Sequence, residues 1–461
     1  MKKFTLLATG ILFCSMAFAQ TATFTRLWDK SIVGGTVMNG EDVVVVGAVP
    51  SYMHPTMEYE RGLAFFDGKL YIPSRNGGNS IKVVDAQTGE LIRSIDLSLE
   101  PVFSGGTYLI NDIVITESGN IIIGNLSTAA NSPFKVYLGV LQPDDKYVWS
   151  NIVEFIPNTR SYPGTATPFN GSRLGDGIGV FGDISATGDG YILTGDANSK
   201  CVFRFDVFGG VKVTDASAII ELKNVYPLAT GASFSKLGTS PRFFPITEDL
   251  FYMDTQYYFP TLYDMQGEMQ DKFAGAAKPL TTGICGVYSF MFKGTEFLAV
   301  PTSNHDKVLP KAAFEVFSVP GSGLVDAKSM GIFPEGGLGA QSNTSYIAPV
   351  VVDVLTDKVV LYAMSARNGI CAYEMTVNFT PTAVEDERAT ALEIYPNPAK
   401  DYVRVRSEAG IANIKVYSIA GSLLREVYNT AEVSVSGLRG SFIVHATDVN
   451  GNGVKQVVLV K

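Results

Sequence analysis

Residues 61–97 read RGLAFFDGKLYIPSRNGGNSIKVVDAQTGELIRSIDL. Four short runs rich in β-branched and aromatic residues fill this stretch: RGLAFF, GKLYIPSR, SIKVVDAQ and ELIRSIDL. Asp67-Gly68 and Thr88-Gly89 stand between pairs of runs, where a tight turn needs a positive φ that glycine adopts without a steric penalty. Residues 60–98 are therefore expected to form four antiparallel strands in succession.

The strand, polar loop, strand part of this unit recurs along the chain. It is KLYIPSR, NGGN, SIKVVD in the first copy and NIIIGN, LSTAANSP, FKVYLGV in the second. YILTGD, ANSK, CVFRFDV and LFYMDT, QYYFP, TLYDM follow, then FLAVPTS, NHDKVLPKAA, FEVFSV and VVLYAMSA, RNG, ICAYEMT. No long window shows apolar residues at i, i+3, i+4 and i+7. The class is all-β, and repeated four-strand units predict a six-bladed β-propeller. The sixth unit lacks an outer strand, and FTRLWDKS, residues 24–31, is a strand without a place. Lending it to the last blade would remove an open edge. Residues 32–59 leave room for part of a seventh blade, and a pair of β-sandwiches is the competing architecture.

The chain has 461 residues, 46% hydrophobic and 18% charged, which fits folded domains rather than a disordered chain. A net charge of −9 without a basic block disfavours a nucleic-acid partner. Residues 1–19 have the form of a signal peptide: Lys2 and Lys3, an apolar run from Leu6 to Phe18, and Ala17-Phe18-Ala19 before Gln20. Bulky Phe13 ahead of Cys14 argues against lipidation and for ordinary cleavage. The expected organisation is a propeller over 20–379, a polar linker over 380–390 and a small Ig-like β-sandwich over 391–461. Cys201, Cys285 and Cys371 are expected as small buried apolar residues, with one cross-strand pair as the alternative. No later segment has eighteen consecutive apolar residues, so no transmembrane segment is expected.

GLAFFDGKLYIPSR followed by IKVVDAQTGELIRSIDL resembles secreted propellers of the YncE-like and quinoprotein-like kind, and uncharacterised extracellular propellers of Bacteroidetes. That resemblance implies a fold and no activity. At the other end, three blocks occur in order: Tyr395-Pro396-Asn397-Pro398-Ala399, then VYSIAG from Val416 to Gly421, then SGLRGSFIVHATDVNGNGVKQVVLVK ending on Lys461. Together they resemble the C-terminal sorting domain of the type IX secretion system of Bacteroidetes. The family usually has an aspartate or similar polar residue where Ser418 to Ala420 stand, and a tyrosine at Phe442. The resemblance implies passage to the periplasm and handling by the outer-membrane type IX translocon. It also implies removal of the tail and a passenger secreted or attached to the cell surface. The prolines of YPNPA are expected to hold an extended entry strand, since they cannot donate ladder hydrogen bonds.

Chemistry is sparse in the body. The histidines are His54, His305 and His445, and no H-E-x-x-H, G-x-S-x-G or Walker A motif occurs. No cofactor or metal site is predicted; a structural or catalytic divalent metal such as calcium stays open. Asp183, Asp189 and Asp196 do not fit the calcium-loop spacing and are expected as turn residues. In FYMDTQYYFPTLYD, residues 251–264, Phe251 and Tyr252 are expected in the core, while Tyr257, Tyr258 and Phe259 fall in a loop that could stack a sugar or peptide. The loops between second and third strands form one face of a propeller. They carry Arg75, Asn76, Asn125, Asp196, Asn198, Asp254, Gln256, Tyr257, Asn304, His305, Asp306, Arg367 and Asn368 as candidate ligand-binding residues. The expected function is non-catalytic binding or scaffolding of a glycan or protein. The alternatives are a lactonase-like hydrolase or lyase with a metal in the channel, and a purely structural envelope component.

Overall fold

The computed structural model describes residues 19–33, 36–39, 42–45, 48–129, 131–157, 173–228, 235–274, 279, 285–302, 312–334, 336–339, 341–380, 392–407, 409–418, 423–450 and 453–460. The chain divides into two compact units, Met1–Thr380 and Pro381–Lys461. Among the described residues there is no α-helix; a 3-10 turn spans Leu324–Asp326. The expected signal peptide and linker lie almost wholly outside the described residues.

The first unit holds six four-stranded antiparallel sheets. Sheet 1 runs Ala64–Phe66, Lys69–Ser74, Ser80–Asp85, Leu91–Asp96, and sheet 2 runs Tyr108–Ile115, Ile121–Leu126, Phe134–Leu141, Tyr147–Phe155. Sheet 3 is Ile178–Gly182, Asp189–Gly195, Cys201–Phe208, Ala218–Glu221, and sheet 4 is Arg242–Pro245, Leu250–Asp254, Thr261–Asp264, Met269–Lys272. Sheet 5 is Tyr288–Phe292, Thr295–Thr302, Ala313–Val319, Lys328–Phe333. Sheet 6 takes Val350–Val354, Val359–Ser365 and Gly369–Thr380, and its fourth strand is Ala19–Ser31. That N-terminal strand runs antiparallel to the last strand of the unit, from Ala19 opposite Thr380 to Ser31 opposite Gly369. Thr36–Asn39 and Asp42–Val45 pair as two antiparallel strands, so the space left for a seventh blade holds no four-stranded sheet among the described residues.

Side-chain alternation decides which neighbour each sheet faces. Ile121 and Ile123 join Tyr71 and Ile81 between sheets 1 and 2, while Ile122 points the other way, to Ile192 and Phe205 of sheet 3. Phe251 packs with Leu193 and Val202 of sheet 3, whereas Tyr252 packs with Leu298 and Phe317 of sheet 5. Leu361 meets Phe314 of sheet 5, and Tyr362 meets Leu70 and Val84 of sheet 1. Each sheet thus has both faces covered. Its middle strands read as continuous apolar runs, and Ile121–Leu126, Ala313–Val319 and Val359–Ser365 are buried throughout. The outer strand Leu91–Asp96 is mostly exposed. Cys201, Cys285 and Cys371 are buried thiols, with no disulfide among them.

The N-terminal strand also reaches beyond its own sheet. Trp28 Nε1 donates to the Ala86 carbonyl at the turn of sheet 1 (2.9 Å), and its ring lies 6.4 Å from that of Tyr362.

The second unit is a two-layer all-β sandwich. One sheet contains Glu393–Tyr395, Tyr402–Arg406 and Glu432–Ser434; the other contains Leu423–Tyr428, Ile411–Ser418, Gly440–Asp448 and Gly453–Val460. Ile394, Val403 and Val433 of the first layer meet Ile414, Val444 and Val458 of the second. YPNPA does not hold an extended entry strand: the strand ends at Tyr395, and Pro396-Asn397-Pro398 bend away from it. Asn397 Oδ1 accepts the Leu459 N–H (3.0 Å), and the Ala399 N–H donates to the Leu459 carbonyl (2.7 Å). The motif therefore fastens the final strand. Gly421 and Lys461 lie outside the described residues.

Two substitutions test these fastenings. Trp28→Ala is expected to cost about 2–3 kcal/mol, less than a fully buried tryptophan would, read from the shift in the denaturation midpoint. An unchanged midpoint would mean that the N-terminal strand carries no part of the fold. Asn397→Ala should cost about 1 kcal/mol in the second unit, seen as faster hydrogen exchange of the Leu459 amide.

Candidate functional site

The first strands of all six sheets, with the residues just ahead of them, line a cavity of about 190 Å³. Its walls mix apolar side chains, Val114, Val180, Phe244, Val287 and Val351 among them, with nearly as much polar surface, and Asp112 and Arg242 are its charged members. Where the first strands begin, Leu63, Asp112, Arg242 and Gly286 are all buried. Further along the same strands Phe65, Ile115, Val180, Pro245 and Tyr288 are half-buried. The cavity is thus sealed at the first end and reaches solvent at the other.

The seal is a network of charges drawn from different sheets. Arg242 pairs with Asp112 and donates through Nη2 to the Arg61 carbonyl (2.7 Å). Arg61 lies 3.8 Å from Asp176 and 3.7 Å from Glu58, and Arg173 grips Asp176 with two bonds of 2.5 and 2.7 Å. Asp112 also accepts the Ile178 N–H (2.9 Å), and Glu58 accepts from the Thr344 hydroxyl (2.9 Å). The Ser240 hydroxyl donates to the Ser345 carbonyl. Arg75 lies 3.8 Å above the Tyr108 ring and 5.7 Å from that of Tyr59, donates to the Glu58 carbonyl (2.8 Å), and makes no ion pair among the described residues. Burial, then the neighbouring Arg61 charge, pulls the Arg75 guanidinium down to about 10; burial likewise lowers Arg61.

Close approach of the first strands depends on three glycines. A Cβ on Gly62 would lie 2.8 Å from Asp112 Oδ1, one on Gly177 2.3 Å from the Pro241 carbonyl oxygen, and one on Gly286 2.2 Å from the Ala348 carbonyl oxygen. Sheets 1, 3 and 5 thereby touch sheets 2, 4 and 6 at the sealed end.

Most of the residues expected as a ligand face serve as braces at this end. Asn125 lies in a strand rather than a loop, accepting the Lys135 N–H (2.8 Å) and donating to the Pro133 carbonyl (3.1 Å). Asp196 is buried and accepts the Arg173 N–H (3.0 Å). Asp254, opposite Arg242 in sheet 4, accepts the Gly286 N–H (2.9 Å). Gln256 accepts from Thr239, Arg367 donates to the Ser342 carbonyl (2.6 Å), and Asn368 exchanges bonds with Gln341. The Asn76 N–H donates to Ser74, Asn198 is exposed, and the half-buried Tyr257 ring has Lys236 Nζ 5.8 Å from its centre. Tyr258 and Phe259 are buried, Phe259 against Tyr226, so these two aromatics belong to the core instead of a stacking surface. Asn304, His305 and Asp306 lie outside the described residues.

The sequence reading missed Glu58, Arg61, Tyr108, Asp112, Arg173, Asp176 and Arg242. They stand at or just ahead of the first strands. The available signal was a charged residue and glycine before an apolar run, as in Arg61-Gly62 and Asp176-Gly177.

Asp254 offers a pH test. Its carboxyl is fully buried, Oδ1 has no hydrogen-bond partner among the described residues, and burial holds its pKa well above the ordinary carboxylate range. A raised folded pKa contributes stability that is present below the unfolded value and lost as pH climbs through the folded one. Asp254→Asn should therefore gain thermal stability over the wild type above the carboxylate range and gain none near pH 3. Parallel melting curves at both pH values would sink this assignment.

A search of curated proteins finds no match to the chain. Among solved structures it is similar to a DUF4623 family protein from Bacteroides eggerthii, with a TM-score of 0.52 and 16% identity over 78% of this chain and 83% of that one. At that identity the likeness concerns the fold alone. Overlap with the computationally designed Ika8 protein, at a TM-score of 0.31 and 12% identity over 90% of this chain and 100% of that one, carries no argument. Residues 393–461 match the family model of the secretion system C-terminal sorting domain. The chain therefore ends in a type IX sorting tail, the mark of a protein exported to the cell surface or secreted.

Proposed function

We propose that residues 19–380 close into a six-bladed β-propeller, exported by the type IX route, that works as a non-catalytic binding module. The observation that carries this reading is the single cavity shared by the first strands of all six sheets. Two others support it: an apolar cluster joins sheet 6 to sheet 1, and the N-terminal strand completes sheet 6. A radial array of four-stranded meanders has this pattern of contacts. The turn-rich sealed end would present a glycan or protein ligand with exposed or half-buried groups such as Asn198 and Tyr257. A lactonase-like hydrolase would require carboxylates or histidines converging on the cavity. Among its lining residues the one carboxylate is Asp112, already engaged by Arg242 and the Ile178 N–H.

Deleting residues 391–461 should leave the passenger in the periplasm of its native host; normal appearance at the surface would defeat the export reading. The purified mature chain should bind a glycan or surface-protein ligand on an array without consuming it. Turnover of a lactone or glycan would replace the binding reading with the hydrolase.

A further inference from the structure

The cavity lining comes as unbroken runs: residues 63–65, 112–115, 178–180, 242–245, 286–288 and 349–351. A strand turning one face to the cavity would contribute every second residue. These strands therefore meet it edge-on. Each first strand is paired within its sheet on one side only, which leaves the edge toward the cavity open. In an antiparallel ladder alternate residues bond to the partner, and those between turn their N–H and C=O outward. The N–H groups of Thr116, Ile246 and Leu355 donate across the turns of sheets 2, 4 and 6, to the carbonyls of Asn120, Leu250 and Lys358. Counting back in twos leaves Ile113, Phe243 and Val350 with outward main-chain groups. In sheet 3 the Ile178 N–H already points outward, to Asp112, so Val180 does the same. Much of the polar surface of the cavity is thus main chain, with donors and acceptors from several sheets.

These groups select the kind of ligand. A wholly apolar one would strip water from open donors and acceptors and return no hydrogen bond. The two charged lining residues, Asp112 and Arg242, are paired with each other and ask for no net charge. At the open end, Asp67, Glu117, Asp183, Glu248 and Asp357 are exposed in the turns that follow the first strands of sheets 1, 2, 3, 4 and 6. The cations of these turns and the corresponding turn of sheet 5 are Lys293 and Lys358, and Lys358 is paired with Glu374. An anion therefore approaches against repulsion. Phe65, Phe244 and Tyr288 add aromatic surface, the last two with ring centres 4.7 Å apart. The Tyr288 hydroxyl has no hydrogen-bond partner among the described residues.

A peptide strand presents its hydrogen-bonding groups along two opposite edges, whereas the strand edges here converge on the cavity from all around it. A sugar ring carries hydroxyls around its rim, each able to donate and accept, and C–H groups to set against aromatic walls. The cavity of about 190 Å³ is smaller than the roughly 300 Å³ at which sites for drug-sized ligands begin, so it suits a single small ring. We infer that the cavity binds one neutral monosaccharide, held by the open edges of the first strands and by the Tyr288 hydroxyl. The ligand enters at the end opposite the charge network. This assignment rests on the propeller reading, and it gives a sugar a place apart from any glycan or protein held on the turn-rich face.

Calorimetric titration of the full mature chain with glucose, galactose, mannose and N-acetylglucosamine tests it, with glucuronate, trialanine and octanoate as controls. At least one of the four neutral sugars should saturate a single site, and glucuronate should bind about fivefold more weakly than the tightest of them. Trialanine and octanoate should show no saturable binding. Tyr288→Phe, which removes only the hydroxyl, should weaken the sugar about fivefold. Val180→Trp, which fills the cavity from a half-buried wall position, should abolish binding. The assignment falls if no neutral sugar saturates, if glucuronate, trialanine or octanoate binds as tightly, or if both variants bind as the wild type does. A crystal structure of the same chain at saturating sugar separates the two readings. Six sheets closed around a cavity that holds water alone defeat the ligand; sheets that do not close into a ring defeat both.

Discussion

The antiparallel pairing of Ala19–Ser31 with Gly369–Thr380 is the constraint on which the first unit depends. It supplies the outer strand of sheet 6 and, through Trp28, a hydrogen bond to sheet 1. Without it the edge of Gly369–Thr380 would present unpaired N–H and C=O groups to solvent. The pairing joins residues at opposite ends of the unit in sequence. Its loop-closure cost grows only slowly with length, whereas the folding rate suffers more from such long-range contacts. The strand can complete its ladder only after residue 380 exists, by which point every other strand of the six sheets has been synthesised.

The strands were legible for a simple physical reason. Middle strands buried on both faces demand continuous apolar runs, and the turns between them demand glycine. VVLYAMSA shows the first pressure, and the Gly68 that opens GKLYIPSR shows the second. The N-terminal strand was legible because FTRLWDKS had no other partner. The charge network was not. Its members, from Glu58 to Arg242, fall in the stretches ahead of sheets 1 and 3 and in the first strands of sheets 2 and 4, and obey no spacing. Only the fold brings them together. The aromatic pair Tyr258 and Phe259 misled for a related reason: loop position implied exposure, but that loop folds back over Tyr226 and into the core between sheets 3 and 4.

The network also shows how two opposed costs are balanced. Burying Arg61, Asp112, Asp176 and Arg242 sacrifices hydration that their mutual attraction only partly restores, so such pairs add little net stability. They do fix geometry. Arg242 reaches sheets 1 and 2 from sheet 4, Arg61 reaches sheet 3, and Glu58 of the sheet 1 entry holds Thr344 ahead of sheet 6. Apolar packing between neighbouring sheets cannot set such cross-connections. Directional bonds between charged groups can, which gives the cavity a firm floor.

Ala19 and Thr380 are paired across one ladder, so the two ends of the described part of the first unit lie roughly 5 Å apart. The order of the sheets in the gene is then only one of several that would give the same contacts. A short peptide could join these ends, and a new start could be opened at the exposed Gly77-Gly78 turn of sheet 1. Such a circular permutant would keep every ladder while making sheet 1, rather than sheet 6, the one assembled from both ends of the chain.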